Sequence, residues 1–179
     1  MVTVTNCTSD LRILPFKNHY HGELFDCGVY SFNEYFTHLA RDQDPRYISR
    51  IFSAVDGQDN VLGFYSISAI NIEFQDISDQ VVKQLPAYPI SSVCINQLAV
   101  DKSIQGNGLG TWLLVDALLR IYQATGKMRV LIVLVETPNE RARAFYLHFG
   151  FLPLSGKDSK LFLPMDRIAQ LFETSESSH

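Results

Sequence analysis

Three glycines at alternate positions, Gly106, Gly108 and Gly110, fall in QGNGLGTWLL, between the run INQLAVD and an apolar helix-like run. Glycine reaches backbone conformations closed to other residues and puts no Cβ between the chain's N–H groups and a ligand. A helix starting at such a turn adds the partial positive charge of its N-terminus, and the two together suit a phosphate-type anion. Two nucleotide readings fail on spacing. A dinucleotide fingerprint needs G-x-G-x-x-G with an acidic residue about 20 positions on. Here the third glycine comes one place early, and Glu136, at the end of the next strand, lies too far away. A triphosphate loop needs G-x-x-x-x-G-K-[ST], whereas Gly110 precedes Thr111 with no lysine near it. The glycines taken alone fit equally well a turn that packs a helix closely on a strand.

The elements that must hold this turn are legible on both sides. SSVCINQLAV reads as the strand entering it. From Leu109 to about Gln123 the pattern is helical, with Leu113, Leu114, Ala117, Leu118 and Ile121 as its apolar stripe. RVLIVLVE is short, continuous and rich in valine and isoleucine, which predicts a strand buried on both faces. Thr137, Pro138 and Glu140 form the N-terminal signature of a second helix, with Thr137 as N-cap. That helix is expected to run to about Phe149 and to close at Gly150. Strand, glycine turn, helix, strand, helix is a βαβα order, so the fold class is α/β with part of the sheet parallel.

Upstream, SDLRILPF suggests a strand, and RIFSAVD with VLGFYSISAI a hairpin turning at GQDN. Ser31 and Glu34 have capping-box spacing, and Phe32, Tyr35, Phe36 and Leu39 follow at helical spacing, predicting a helix over about 31–41. Residues 76–84 suit a short helix, and Pro86 and Pro89 mark a loop. FLPL and KLFLPM suggest a final hairpin. Residues 1–172 read as one domain and 173–179 as a polar, disordered tail.

At 179 residues, 46% hydrophobic and 19% charged, the chain can build a sizeable core. It shows no membrane span and no secretory leader. Cys7, Cys27 and Cys94 are odd in number and far apart, which argues for a reduced, cytoplasmic protein rather than a disulfide framework. His19 and His21 lack a third ligand, so no metal is expected. The formal net charge of −4 provides no general attraction for nucleic acid. Local basic groups are Arg41, Arg46 and Arg50, and Arg141, Arg143, Lys157, Lys160 and Arg167; residues 71–80 are acidic.

LAVD followed by Gln105-Gly106-Asn107-Gly108-Leu109-Gly110 resembles the acyl-CoA pyrophosphate loop of the GNAT superfamily, [R/Q]-x-x-G-x-[G/A]. NERARAFYLHFGF, Asn139 to Phe151, is similar to that superfamily's second motif. The resemblance implies a GNAT acyl-CoA acyltransferase fold, a mixed twisted sheet flanked by helices. It implies acetyl-CoA as co-substrate, with its pyrophosphate at Gln105, Gly106, Asn107, Gly108, Leu109, Gly110 and Thr111. The pantetheine would pair with Leu98, Ala99 and Val100, and Asn139, Ala142 and Phe145 would lie near the coenzyme. The strands ending at Val100 and Glu136 would splay to admit it, an arrangement consistent with backbone groups needing a partner.

Acetyl transfer from a thioester to an amine needs a neutral amine, a stabilised oxyanion and a proton for the leaving thiolate. No cysteine–histidine pairing is evident, so direct attack is favoured. The resemblance makes Tyr146 the general acid, a role suited to a phenol that stays protonated below pH ~10. Glu136 and Glu73 are weak candidates for a base.

Phe25 to Phe36, FDCGVYSFNEYF, resembles the opening of GNAT toxins of type II toxin–antitoxin pairs, the AtaT and TacT group. So do the hairpin, the LPAYPISSVCINQLAVDKSIQGNGLG block and LFLPMDRIAQLF. This finer resemblance implies acetylation of the α-amine of aminoacyl-tRNA, a block to translation, a ribbon-helix-helix antitoxin and a homodimer. An α-amine ionises near ~7.7–8.0 and a lysine near ~10.4, so the former needs less help from a base. Arg46, Arg50, Arg141 and Arg143 are then the candidates for tRNA binding. The alternative is a GNAT enzyme for a small-molecule or protein amine.

Overall fold

The β-forming runs become seven strands: β1 Arg12–Pro15, β2 Ser49–Val55, β3 Val61–Ile72, β4 Ile90–Val100, β5 Ile132–Glu136, β6 Leu152–Leu154 and β7 Lys157–Pro164. The computed structural model describes residues 10–39, 49–72, 90–125, 130–154 and 156–176. The strands form one sheet in the order β1-β2-β3-β4-β5-β7-β6. β4 and β5 pair in parallel, while β1–β2, β5–β7 and β6–β7 are antiparallel, so the sheet is mixed as expected. Four α-helices are found among the described residues: α1 Tyr30–Glu34, α2 Leu109–Thr125, α3 Glu140–His148 and α4 Met165–Glu176. None is long and apolar enough to cross a membrane.

The chain divides into two units, Met1–Ser66 with Gln97–Asp116, and Ile67–Asn96 with Ala117–His179. The first is built around aromatic rings. Tyr20, Phe25, Phe36 and Phe64 are buried with Ile51, Val55, Val61 and Ala99, and Phe36 stacks on Phe64 at 4.4 Å between centroids. Gly63 lets α2 approach β3: a Cβ there would lie 2.9 Å from Leu113 Cδ1 and 3.0 Å from the Ala99 carbonyl oxygen. In the second unit, Ile132, Leu134, Leu154 and Phe162 form a buried cluster with Cys94 against it.

The predicted stripe of α2 is buried at every position, and Ile132 to Val135 of β5 are buried on both faces. Both hairpin expectations hold, with Asp56 N–H donating to the Asn60 carbonyl across the first turn. The helix expected at 31–41 differs. Its α-helical part is Tyr30–Glu34, continued by a π-helical turn Tyr35–Leu39 in which Thr37 Oγ1 donates to the Asn33 carbonyl at 2.8 Å. The Ser31–Glu34 capping box does not form. Val29 occupies the N-cap without a side-chain bond, because the turn before the helix is held by Asn33, whose Oδ1 accepts from Cys27 N–H.

Thr137 does not cap α3. Its N–H and hydroxyl both donate to the Ser159 carbonyl, at 2.8 and 3.0 Å, extending the attachment of β5 to β7. Asn139, in an extended conformation, is the cap, its side chain accepting from Ala142 N–H. Gly150 closes the helix as expected, with φ +85° and its N–H on the Leu147 carbonyl. The closing helix α4 has no counterpart among the sequence expectations; it buries Ile168 and stacks Phe172 on Tyr122. The short helix at 76–84, the Pro86–Pro89 loop, Glu73, Arg41 and Arg46 fall outside the described residues.

Candidate active site

Gly106 and Gly108 have φ of +82° and +86°, a region costly for residues with a Cβ. A Cβ built on either meets nothing within 4 Å. The space beside these two backbones is open, so they fit a ligand that comes close to the main chain. Gly110 lies within α2 and has no such conformation; α2 begins at Leu109, with Trp112 N–H on the Gly108 carbonyl. Leu109 is buried beneath the turn, while Asn107 and Thr111 are exposed. Asn107 Nδ2 donates to the Ile104 carbonyl at 3.1 Å and so stiffens the loop.

Gln105 has a different position from the glycines. Its Nε2 donates to the Val100 carbonyl at 2.8 Å and the Cys27 carbonyl at 3.0 Å. The amide fastens the loop to the end of β4 and to the N-terminal turn. Before it, Asp101 caps a 3₁₀ turn, Lys102–Ile104, accepting from Ser103 N–H and Ser103 Oγ. Burial would raise the Asp101 pKa, but hydrogen bonds from Asp26 N–H and Ser103 outweigh it and leave the carboxyl below its ordinary range. Asp26 is held down to about 2, chiefly by Lys102, then by Asn33 and the Gly28 N–H. Spacing gave no signal for this carboxylate pair; the FDCG stretch carried it only as part of a resemblance.

The parallel register of β4 with β5 runs from Ser92↔Ile132 to Ile95↔Val135. β4 continues to Val100, so Leu98, Ala99 and Val100 have no β5 partner among the described residues. Ala99 is buried, Leu98 and Val100 half-buried. On its other side β4 neighbours β3, and the Val100 carbonyl accepts from Gln105, so it is the β5 side of this strand end that has no described strand partner.

In the second unit, α3 positions Tyr146. Starting the helix at Asn139 puts Tyr146 on its buried side, 5% exposed, between Phe145 and Phe151 at centroid distances of 5.3 and 5.2 Å. Among the described residues no protein group hydrogen-bonds the Tyr146 hydroxyl. Burial, with a smaller contribution from the nearby Cys94, pushes the phenol well above its ordinary value. It therefore stays a proton donor throughout the neutral range. Burial likewise raises Cys94 to about 11. Phe145 and Ala142 are half-buried on the same helix, and Asn139 is exposed with its oxygen committed to the cap.

The candidate tRNA-binding arginines are placed less uniformly. Arg50 is exposed on β2, and Arg141 is exposed on α3. Arg143 Nε donates to the Asp158 carbonyl at 3.2 Å, which anchors it to the β7 end. Glu136 is exposed, 3.9 Å from Lys160 Nζ. Among the described residues no group of three or more His, Cys, Asp or Glu is placed to hold a metal.

The acetyltransferase (GNAT) family model matches residues 14–151. The chain belongs to the GNAT family. This GNAT chain is 34% identical over 128 residues to the tRNA-acetylating toxin of Mycobacterium tuberculosis, covering 71% of this chain and 75% of that protein. It is 26% identical over 163 residues to a probable toxin TacT of Sinorhizobium fredii, covering 86% and 90%. Among solved structures it is similar to AtaT complexed with acetyl-methionyl-tRNAfMet, with TM-score 0.83, 30% identity, and 91% and 99% of the two chains covered. It is also similar to an AtaT mutant bound to the C-terminus of the antitoxin AtaR and acetyl-CoA, with TM-score 0.76, 30% identity, and 92% and 99% covered. GNAT membership makes the chain an acetyltransferase.

Proposed function

We propose that this acetyltransferase uses acetyl-CoA to acetylate the α-amine of aminoacyl-tRNA, and that it blocks translation as a toxin. The observation that carries the reading is similarity to AtaT, seen with acetyl-methionyl-tRNAfMet, over 91% of this chain. Acetyl-CoA, when bound, supplies the acetyl group as a thioester. Gly106, Gly108 and the N–H groups entering α2 would hold its pyrophosphate, with Gln105, Asn107, Leu109, Gly110 and Thr111 shaping the loop. The open backbone at Leu98, Ala99 and Val100 would accept the pantetheine, and one of its N–H groups would polarise the reacting carbonyl. Asn139, Ala142 and Phe145 would shape the coenzyme's surroundings from α3.

Tyr146 acts as general acid in a direct transfer. Its buried phenol holds a proton at physiological pH and gives it to the departing sulfur. The α-amine of an aminoacyl ester needs little deprotonation near pH 7–8, which agrees with the exposed, lysine-flanked position of Glu136. Arg50, Arg141 and Arg143, with Arg46, would meet tRNA phosphates, each adding a salt-sensitive contact. A ribbon-helix-helix antitoxin and a homodimer complete the reading, in keeping with the AtaR-bound relative.

The test is incubation with charged tRNA and labelled acetyl-CoA at low salt. Label is expected on the aminoacyl end of the tRNA. Label appearing only on a polyamine or aminoglycoside panel would remove the tRNA acceptor while leaving the acetyltransferase assignment standing.

A further inference from the structure

The N-terminal stretch FDCG, with Asn33 beyond it, has no role in the transfer as described, yet it is tied to the glycine turn from 75 residues away in sequence. Every polar group of Asp26 is used. Its Oδ1 accepts from Gly28 N–H at 2.9 Å and from Asn33 Nδ2 at 2.8 Å. Its Oδ2 accepts from Lys102 Nζ at 2.8 Å. Its N–H donates to Asp101 Oδ2 at 3.0 Å, and its carbonyl accepts from Lys102 N–H at 2.9 Å. One residue later, the Cys27 carbonyl accepts from Gln105 Nε2. Gly28, at φ +87°, lets the Lys102 stem lie against the turn: a Cβ there would stand 3.1 Å from Lys102 Cε.

Asp101, Lys102 and Gln105 are thus fixed at the point where the chain leaves β4, and the freedom of Gly106 and Gly108 is confined to the turn itself. Glycine-rich turns lose much entropy when they organise around an anion. A frame assembled before binding reduces that loss. It also explains why Lys102, the cation nearest the turn in sequence, is not offered to the ligand: its ammonium is paired with Asp26.

We propose that Asp26, Asn33 and Lys102 are positioning residues for the coenzyme loop. They set its geometry for the pyrophosphate without touching the coenzyme. The proposal rests on the acetyl-CoA reading given above and assigns a role to the FDCG stretch in coenzyme binding rather than in acceptor choice.

The test is steady-state kinetics and calorimetric coenzyme A binding on the full chain, with Asp26→Ala, Lys102→Ala and Lys102→Arg. Asp26→Ala is expected to raise the KM for acetyl-CoA and the Kd for coenzyme A about tenfold, with kcat within about twofold. Lys102→Ala should move in the same direction by a smaller factor, and Lys102→Arg, which keeps the cation beside Asp26, should behave as wild type. Should Asp26→Ala fail to fold, Lys102→Ala decides, because that side chain is mostly exposed. Wild-type protein that binds no coenzyme A overturns the acetyl-CoA reading. Wild-type binding with unchanged KM and Kd in the folded variants, or a loss confined to kcat, overturns the positioning role alone.

Discussion

The side-chain amide of Gln105 donates to the Val100 carbonyl at 2.8 Å, so the last residue of β4 and the first of the glycine turn are joined across the 3₁₀ turn between them. With the second bond to Cys27, this residue holds the loop through two donors. Two half-buried hydrogen bonds are each worth about 0.5–1.5 kcal/mol. Gln105→Ala should therefore raise the KM for acetyl-CoA about tenfold and lower Tm by several degrees. Kinetics and thermal denaturation check both; unchanged values would mean that the turn holds itself.

Tyr146→Phe removes only the hydroxyl. The ring contacts with Phe145 and Phe151 are kept, so Tm should not fall. If the phenol delivers the proton, kcat should drop about 10²–10⁴-fold with little change in acetyl-CoA binding. A Phe variant with full turnover would remove Tyr146 from the chemistry.

The two residues of the α3 entrance predict different losses. Asn139→Ala deletes a side-chain cap and should cost about 1 kcal/mol. Thr137→Ala should act on the β5–β7 attachment instead, through its lost bond to the Ser159 carbonyl. Hydrogen exchange separates them: the first should speed exchange in the opening turn of α3, the second at Thr137 and the start of β7.

Ser53 Oγ is a buried side-chain oxygen without a hydrogen-bond partner among the described residues. Ser53→Ala should stabilise the protein by about 1 kcal/mol, the scale of an unmet buried hydroxyl. Denaturant titration gives the sign directly, and a destabilised variant would mean the hydroxyl is satisfied in solution.

Cys94 carries a pH dependence whose sign is set by burial. Its folded pKa of about 11 lies above the unfolded value of 9.0. The proton stays on longer in the native state, so the contribution is complete below pH 9 and is lost as pH rises toward 11. Two pKa steps correspond to about 2–3 kcal/mol. Cys94→Ala should flatten the stability profile in that window, and a profile as steep as wild type would refute the assignment.

Periodicity in the sequence determined much of this protein. The α2 stripe from Leu113 to Ile121, the doubly buried β5 and the two hairpins depend on repeats of apolar residues that act through near neighbours, so they could be read locally. The glycine turn was legible because conformations like those of Gly106 and Gly108 are confined almost to one residue type. Tertiary structure decided what depends on which partner arrives. Thr137 and Asn139 are both good caps by type, and only the Ser159 carbonyl, supplied by β7, takes Thr137 away. Gln105 belongs to the glycine loop by sequence, and only the fold brings the Cys27 and Val100 carbonyls within reach of its amide. Asp26 and Asp101, 75 positions apart, have no shared pattern in the sequence. A hydrogen bond needs distance and direction in space, and sequence separation records neither.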